Sequence, residues 1–393
     1  MANVSSSNGL EKHPKLRFKG FSEPWNSISF GELFTYLPNN TLSRAELNYE
    51  SGEYQNVHYG DVLIKYGPVL DATTDGLPFI TEYNDKNAHK QLLQSGDVII
   101  ADTAEDEAVG KATEIINVGK RKVVSGLHTI ACRPRVEMAP TYLGFYINSE
   151  TYHQQLYSLM QGVKVLSISK SNIEGTTLCY PTEAEQQKIC DLLNLIELRI
   201  VKQRQLIEHL KKYKRGVSNK IFSEADKWDQ VGFLDVFSTV SDKPYQVTTS
   251  EYYEFGTYEV VDQGKNDIVG YNNDESKVFY TVPIIVYGDH TTVIKFRNTP
   301  FIVGGDGVKL LTTNTNNNLQ YLYYALCQYN VQPEGYKRHF SIVKNLNIPI
   351  PSIKEQQIIA ETLATLDMKI QKESCLLEIL LTQKKAFLQK LFI

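Results

Sequence analysis

From Ile189 onward, apolar positions recur at alternating steps of four and three residues. The series is Ile189, Leu193, Ile196, Ile200, Ile207, Leu210, Val217 and Ile221, interrupted by polar Gln203 and Lys214. A second stretch repeats the steps: Ile359, Leu363, Leu366, Ile370, Leu377, Leu380, Phe387 and Leu391, with Glu373 and Lys384 in the same two polar slots. A 3.5-residue seam sustained over this many turns predicts coiled-coil helix rather than two unrelated solvent-facing helices. Each helix is expected to run about 38 residues, or about 57 Å at 1.5 Å per residue. Both open on the phrase Pro-x-x-x-Glu-Gln-Gln-x-Ile, at Pro181 and Pro351. Thr182 and Ser352 are capping residue types, and Glu185 and Glu355 in the first turn suit the positive end of the helix dipole.

Residues 181–222 overlay 351–392 without a gap, and identical pairs run from Pro181/Pro351 to Phe222/Phe392. A further echo lies outside the helices. WNSISFGELFT at 25–35 matches WDQVGFLDVFS at 228–238, and it holds the only two tryptophans, Trp25 and Trp228. The chain is thus two copies of one unit: a tryptophan segment, a globular part and a long helix. The globular parts alternate short β-like runs, such as SGDVIIAD and PIIVYGDH, with Gly-, Asp- and Asn-rich turns. Helical pieces such as NLQYLYYALCQYN occur among them. The expected class is α+β: two β-rich mixed domains joined by two long coiled-coil helices that pack on each other, in an internal repeat. The expected boundaries are 1–180 and 223–350 for the globular domains and 181–222 and 351–393 for the helices.

A chain of 393 residues exceeds one ordinary core. Its composition, 42 % hydrophobic and 22 % charged, is that of a globular protein. Five scattered cysteines with no C-x-x-C pair indicate neither a zinc site nor a disulfide framework, and fit a reducing, cytoplasmic setting. The N-terminal stretch has no apolar core of the kind a secretory signal carries, and no apolar run is long enough to span a membrane. Net charge is −4, which argues against a free-standing nucleic-acid binder. The helical copies carry +4 (181–222) and +1 (351–393), so the remainder is near −9 and any basic reading surface must be local.

Catalytic signatures are missing. EDEAVGKAT has Gly110-Lys111 but no upstream glycine, and Ala112 stands where a P-loop needs Ser or Thr. GGDG at 304–307 reads as a turn. Asp262 with Glu275-Ser276-Lys277 could pass for a D…E-x-K nuclease site, but YNNDESKV reads better as a turn. His290 has no second metal ligand at useful spacing, and no nucleophile elbow occurs.

Taken together, PKLRFKGFSEPW followed by FGEL, the two Pro-x-x-x-EQQ-x-I helix starts, the two Lys-x-x-x-x-x-Lys-[Ile/Leu]-Phe helix ends and the two-copy layout resemble the DNA-specificity subunit of type I restriction–modification enzymes, over essentially the whole chain. The resemblance implies a non-catalytic subunit in which each globular part is a target-recognition domain for one half of a bipartite, asymmetric sequence in double-stranded DNA. It implies that the two long helices pack antiparallel in an internal pseudo-two-fold repeat, that two methyltransferase subunits dock on this scaffold and that two restriction (translocase–nuclease) subunits complete the cutting complex. S-adenosylmethionine, ATP and Mg are expected on those partners and no cofactor on this chain. A self-contained nuclease and a protein-only coiled-coil adaptor are the competing readings.

Candidate DNA contacts follow from residue type: Arg and Lys for guanine edges, Asn and Gln for adenine, hydroxyls for phosphates. In the second globular part these are Lys337, Arg338, His339 and Ser341 of GYKRHFS, with His290, Thr291, Thr292 and Lys295 of GDHTTVIKF. In the first they are Lys164, Ser167 and Ser169 of QGVKVLSIS, then Lys65, Thr73, Thr74, Lys111, Lys120 and Arg121. Lys211, Lys212, Lys214 and Arg215 form either a solvated helix face or a phosphate contact.

Overall fold

In the computed structural model, which describes residues 13–83, 92–335 and 337–393, the two seams become helices Glu183–Phe222 and Ile353–Leu391. None of the twenty seam positions is exposed. The chain divides into two compact units that split within these helices: residues 1–202 with 377–393, and 203–376.

In the first unit a two-stranded ribbon pairs Asn26–Ser29 antiparallel with Thr177–Tyr180, immediately after Trp25 and immediately before Pro181. One turn of helix, Phe30–Leu33, follows, closed by a reciprocal Ser29–Glu32 capping box. A five-stranded sheet then runs in the order Phe34–Leu37, Thr129–Pro134, Val98–Ala101, Ala112–Ile116, Val69–Asp71; only its last pair is parallel. Val98–Ala101 is buried on both faces. Val98 and Ile100 enter a core with Phe30, Tyr142, Tyr146 and Phe392, whereas Ile99 and Ala101 enter a second core with Val57, Leu70 and Val123. This two-sided burial explains a continuous Val/Ile run in place of alternation.

The second unit repeats the plan. Asp229–Gly232 pairs with Asn347–Ile350, Phe233–Val236 makes the single turn, and the sheet order is Ser238–Val240, Val308–Thr312, Ile284–Gly288, Ile294–Arg297. Ile285 and Tyr287 face a core with Phe222, Phe233 and Tyr321, while Ile284 and Val286 face a second core with Phe279 and Phe301. The closing phenylalanine of each helical copy is a core residue: Phe392 meets Tyr142 and Tyr146, and Phe222 meets Trp228 and Tyr321.

The Glu-Gln-Gln phrase has a definite role. Gln186 and Gln356 are buried, and each donates from Nε2 to the carbonyl of its own proline, Pro181 or Pro351, at 3.0 Å. Each Oε1 accepts a backbone N–H at 2.9 Å, from Ala139 or Asn318. The expected caps part company here. Ser352 and Glu355 form a reciprocal box. Glu185 instead takes Arg17 in a bidentate pair at 2.8 Å, with Glu185 only 1 % exposed.

Along the seams, Ile196, Ile200 and Leu380 cluster in the first unit. In the second, Gln203 meets Glu373. The lysine slots are paired too: Lys214 with Asp367 in the second unit and Lys384 with Glu197 in the first.

Candidate nucleic-acid interface

In the second unit the two segments singled out for DNA contact are adjacent. Ile284–Gly288 ends in buried Asp289, whose N–H donates to the Gly307 carbonyl at 2.6 Å. The Asp289 carbonyl accepts from His339 N at 2.8 Å, and its Oδ1 accepts from Phe340 N at 2.9 Å. His290 then reaches the Lys337 carbonyl through Nδ1 at 3.2 Å. Gln263 ties in a third loop: its Nε2 donates to the Asp306 carbonyl at 2.9 Å, and its Oε1 accepts from His290 N at 3.1 Å. Gly307 closes the cluster at φ 82°, where a Cβ would lie 2.8 Å from the His290 ring.

Not every candidate points outward. Lys337 and Arg338 are exposed, the former in an ion pair with Glu334, and Ser341 is exposed one residue further along the short helix Phe340–Val343. His339 is fully buried: its Nε2 accepts from Glu334 N at 2.9 Å and its Nδ1 lies 3.2 Å from the Asp289 carbonyl. Lys295 is 7 % exposed and donates to the carbonyls of Asp262 and Asn266, so it props the 262–266 loop from beneath. Burial pushes its ammonium pKa down, and Asp262 and Asp267 oppose that. Thr292 is buried at φ 58°, and the Thr291 hydroxyl is spent on the Gln263 carbonyl. The outward set is therefore Lys337, Arg338 and Ser341, with half-buried His290. Lys265 and Asn266 join it, two exposed residues on the loop that Lys295 supports. A guanidinium, two ammonium groups and an amide on one loop cluster can address both phosphates and base edges.

The first unit has the same frame. Val98–Ala101 ends in Asp102, whose N–H donates to the His128 carbonyl at 3.1 Å and whose carbonyl accepts from Ile168 N at 2.9 Å. His128 sits at φ 54°, its Nδ1 3.4 Å from the Asp102 carboxylate, with the Tyr59 ring edge-on to it. Beside this end lie exposed Lys164 and Ser167, the latter paired through Leu166–Ser167 with Thr103–Ala104. Ser169 caps the helix Lys170–Glu174 by accepting from Asn172 N. Lys111 starts here, but its Nζ donates to the Leu63 carbonyl. Burial, then the neighbouring Lys384, hold its ammonium pKa below the usual value.

Lys65, Thr73, Thr74, Lys120 and Arg121 belong elsewhere. They lie at the far end of Ala112–Ile116: Thr73 bonds the Asp71 carboxylate, Thr74 N donates to the Asp71 carbonyl, Lys65 bonds the Gly76 carbonyl, and Lys120 and Arg121 follow the strand in its closing turn. The first-unit candidates thus fall at two opposite ends of one sheet. His128, Thr103 and Tyr59 escaped the reading of the sequence. The available signal was the parallel between SGLH and GGDG, turns that precede equivalent strands. In the second unit the D…E-x-K triple is a turn: Asp274 caps Glu275–Lys277, and Asp262 bonds Gly264 N.

Residues 225–380 match the family model of the type I restriction modification DNA specificity domain. The family is the specificity component of type I systems and is non-catalytic. The chain is 21 % identical over 329 residues to a putative type I restriction enzyme MjaX specificity subunit of Methanocaldococcus jannaschii, covering 75 % of this chain and 77 % of that one. It is 32 % identical over 117 residues to the EcoR124I/EcoR124II specificity subunit of Escherichia coli, covering 27 % and 28 %. In fold it is similar to the crystal structure of the S subunit of a type I restriction–modification system from M. genitalium, with a TM-score of 0.63 at 15 % identity over 97 % of this chain and 99 % of that one. No described helix is long and apolar enough to cross a membrane.

Proposed function

We propose that this chain reads a bipartite, asymmetric target in double-stranded DNA for a cytoplasmic type I restriction–modification complex. Residues 1–180 and 223–350 act as the two target-recognition domains, one per half-site, and 181–222 and 351–393 as the spacer helices. Two adenine-methyltransferase subunits use the helices as scaffold, and two restriction subunits complete the cutting form. S-adenosylmethionine, ATP and Mg belong to those partners. The observation that carries the reading is the duplication itself: two globular parts of unlike sequence close with the same ribbon, the same glutamine lock and the same long helix.

In the second domain the reading surface is the Lys265, Asn266, His290, Lys337, Arg338 and Ser341 cluster. In the first it is the Asp102–His128 end with Lys164 and Ser167. Lys65, Thr73, Thr74, Lys120 and Arg121 would meet DNA only by a separate contact. Lys111, Ser169, Thr291, Thr292, Lys295 and His339 act as supports. Exposed apolar side chains on the helices, among them Leu195, Leu198, Tyr213 and Met368, offer partner helices a surface.

Single-base mapping of adenine methylation, in cells with and without this gene and with its methyltransferase present, tests the proposal. The expected result is a split motif of two short half-sites around a fixed gap that disappears on deletion. Exchanging residues 25–180 changes one half alone. An unchanged methylation pattern on deletion favours the adaptor reading.

A further inference from the structure

The two copies differ in one place that the shared plan does not require. In the first unit the segment before Trp25 lies over the start of the long helix. Arg17 grips Glu185, its Nη2 also donates to the Glu23 carbonyl at 2.6 Å, and Phe18 packs on the core. Trp25 is 5 % exposed and Glu185 1 %.

Among the described residues the second unit has no such cover. Only Ser223–Lys227 separate the helix end from Trp228, so the residue eight before the tryptophan, Lys220, is still helical. At the matching place there is an open cavity of about 580 Å³ lined by Ile221, Trp228, Ile350, Pro351, Glu355 and Ile358. Trp228 is half-buried, Glu355 is exposed and Ile358 is 54 % exposed. The position matching Ile358 in the covered copy is exposed Lys188. The open copy therefore presents an isoleucine where the covered copy presents a charge.

We propose that this cavity receives an extended segment of a partner polypeptide carrying an arginine next to an aromatic residue, the arginine pairing with Glu355 and the aromatic ring resting on Trp228 and Ile358. The first unit supplies the template for the occupant, since there Arg17 pairs with Glu185 and the adjoining Phe18 packs on the core. Charge is complementary: Glu355 is anionic and faces the opening, while the Lys227 ammonium is already paired with Glu224. Glu355 is held by Ser352 in a capping box that Glu185 does not make with Thr182. That box is what the carboxylate does without a guanidinium. The inference does not depend on DNA reading, and its test involves no DNA.

The probe is a fluorescent peptide of residues 14–24 of this chain, PKLRFKGFSEP, titrated into the full-length protein and followed by anisotropy. Saturable binding is expected. Ile358→Lys or Glu355→Gln should weaken it at least tenfold, as should Arg17→Ala in the peptide, while Lys188→Ile in the protein leaves it unchanged. Ile358→Lys changes an exposed side chain, so it keeps the test open should Glu355→Gln disturb the helix start. Absence of saturable binding, or equal binding by both variants, overturns the proposal. So does binding lost only with Glu185→Gln, which would place the peptide in the first unit. Concentration-dependent dimerisation abolished both by Ile358→Lys and by Arg17→Ala in the chain makes the occupant a second copy and overturns a separate partner.

Discussion

Gln203 Nε2 donates to the Glu373 carboxylate at 2.7 Å and to its backbone carbonyl at 2.9 Å, and the two residues stand 170 positions apart in corresponding slots of the repeat. A polar pair in an apolar seam lowers stability relative to a hydrophobic pair but rejects shifted registers, where the carboxylate would face leucine. Gln203→Leu is expected to destabilise the second unit by about 1–3 kcal/mol, because the carboxylate loses its donor. The double change Gln203→Leu with Glu373→Leu should regain that stability or exceed it. Urea unfolding of the set checks this; a double variant no better than the single contradicts the assignment.

Gln356 is the better lock to break. Its side chain joins Asn317, Asn318 and Pro351 with no exposed surface. Gln356→Leu keeps the volume but strands a buried N–H and relieves the Pro351 carbonyl of its donor. A loss of about 2–4 kcal/mol is expected, the sum of two unsatisfied buried groups at about 1–3 kcal/mol each, partly relaxed. Thermal unfolding measures it, with exposed Gln357→Leu as a control.

The stability of the first unit should carry a pH signature from Glu114. Burial pushes this carboxyl up to about 7, against backbone amides of Gly144, Thr141 and Leu143 that favour the anion. The folded value lies above the ordinary 4.5, so between these pH values the folded state holds a proton that the unfolded chain has released. The stabilisation is fully present below about pH 4.5 and is lost as pH rises through about 7. Glu114→Gln should flatten this part of the profile. It should also be less stable at pH 5, since one of the two acceptors now serving Thr141 N and Gly144 N becomes a donor. Identical slopes for both proteins would contradict the assignment.

Lys337→Ala and Arg338→Ala should leave the melting temperature unchanged, as both side chains are exposed. In the assembled complex each is expected to weaken DNA binding. A phosphate contact lowers the slope of log K against log salt by about one, whereas a guanine contact weakens the cognate site by about 1–3 kcal/mol and relaxes one base position. Lys295→Ala should instead lower thermal stability, because it removes the prop beneath the 262–266 loop.

The scaffold was legible in the sequence because its information is periodic and local. Ile189 to Ile221 could be placed on one face by counting, and the repeat put Gln203 and Glu373 in corresponding slots without saying that they pair. The proposed reading surface was legible only in part. Residue type nominated Lys295, His339 and Thr292 as DNA contacts alongside Lys337. It could not say that their side chains turn inward, since that depends on where three separate loops cross. Arg17 and Glu185 stand 168 residues apart, and nothing in either neighbourhood announces the other. The Asp102–His128 corner was missed because a histidine at positive φ depends on a turn that strand pairing, rather than local propensity, imposes.

Gln186 addresses only main-chain atoms, the Ala139 amide and the Pro181 carbonyl. Any polypeptide that brings an N–H to that spot satisfies it, whatever side chains it carries. At this contact a recombination joint asks nothing of the incoming side chains, and the demand falls instead on the apolar core that Ile189, Leu193 and Phe392 share with the globular part. On the proposed function, a lineage that preserves this core can trade globular cassettes at the proline while keeping the helices intact, and would acquire a new half of its vocabulary in one step.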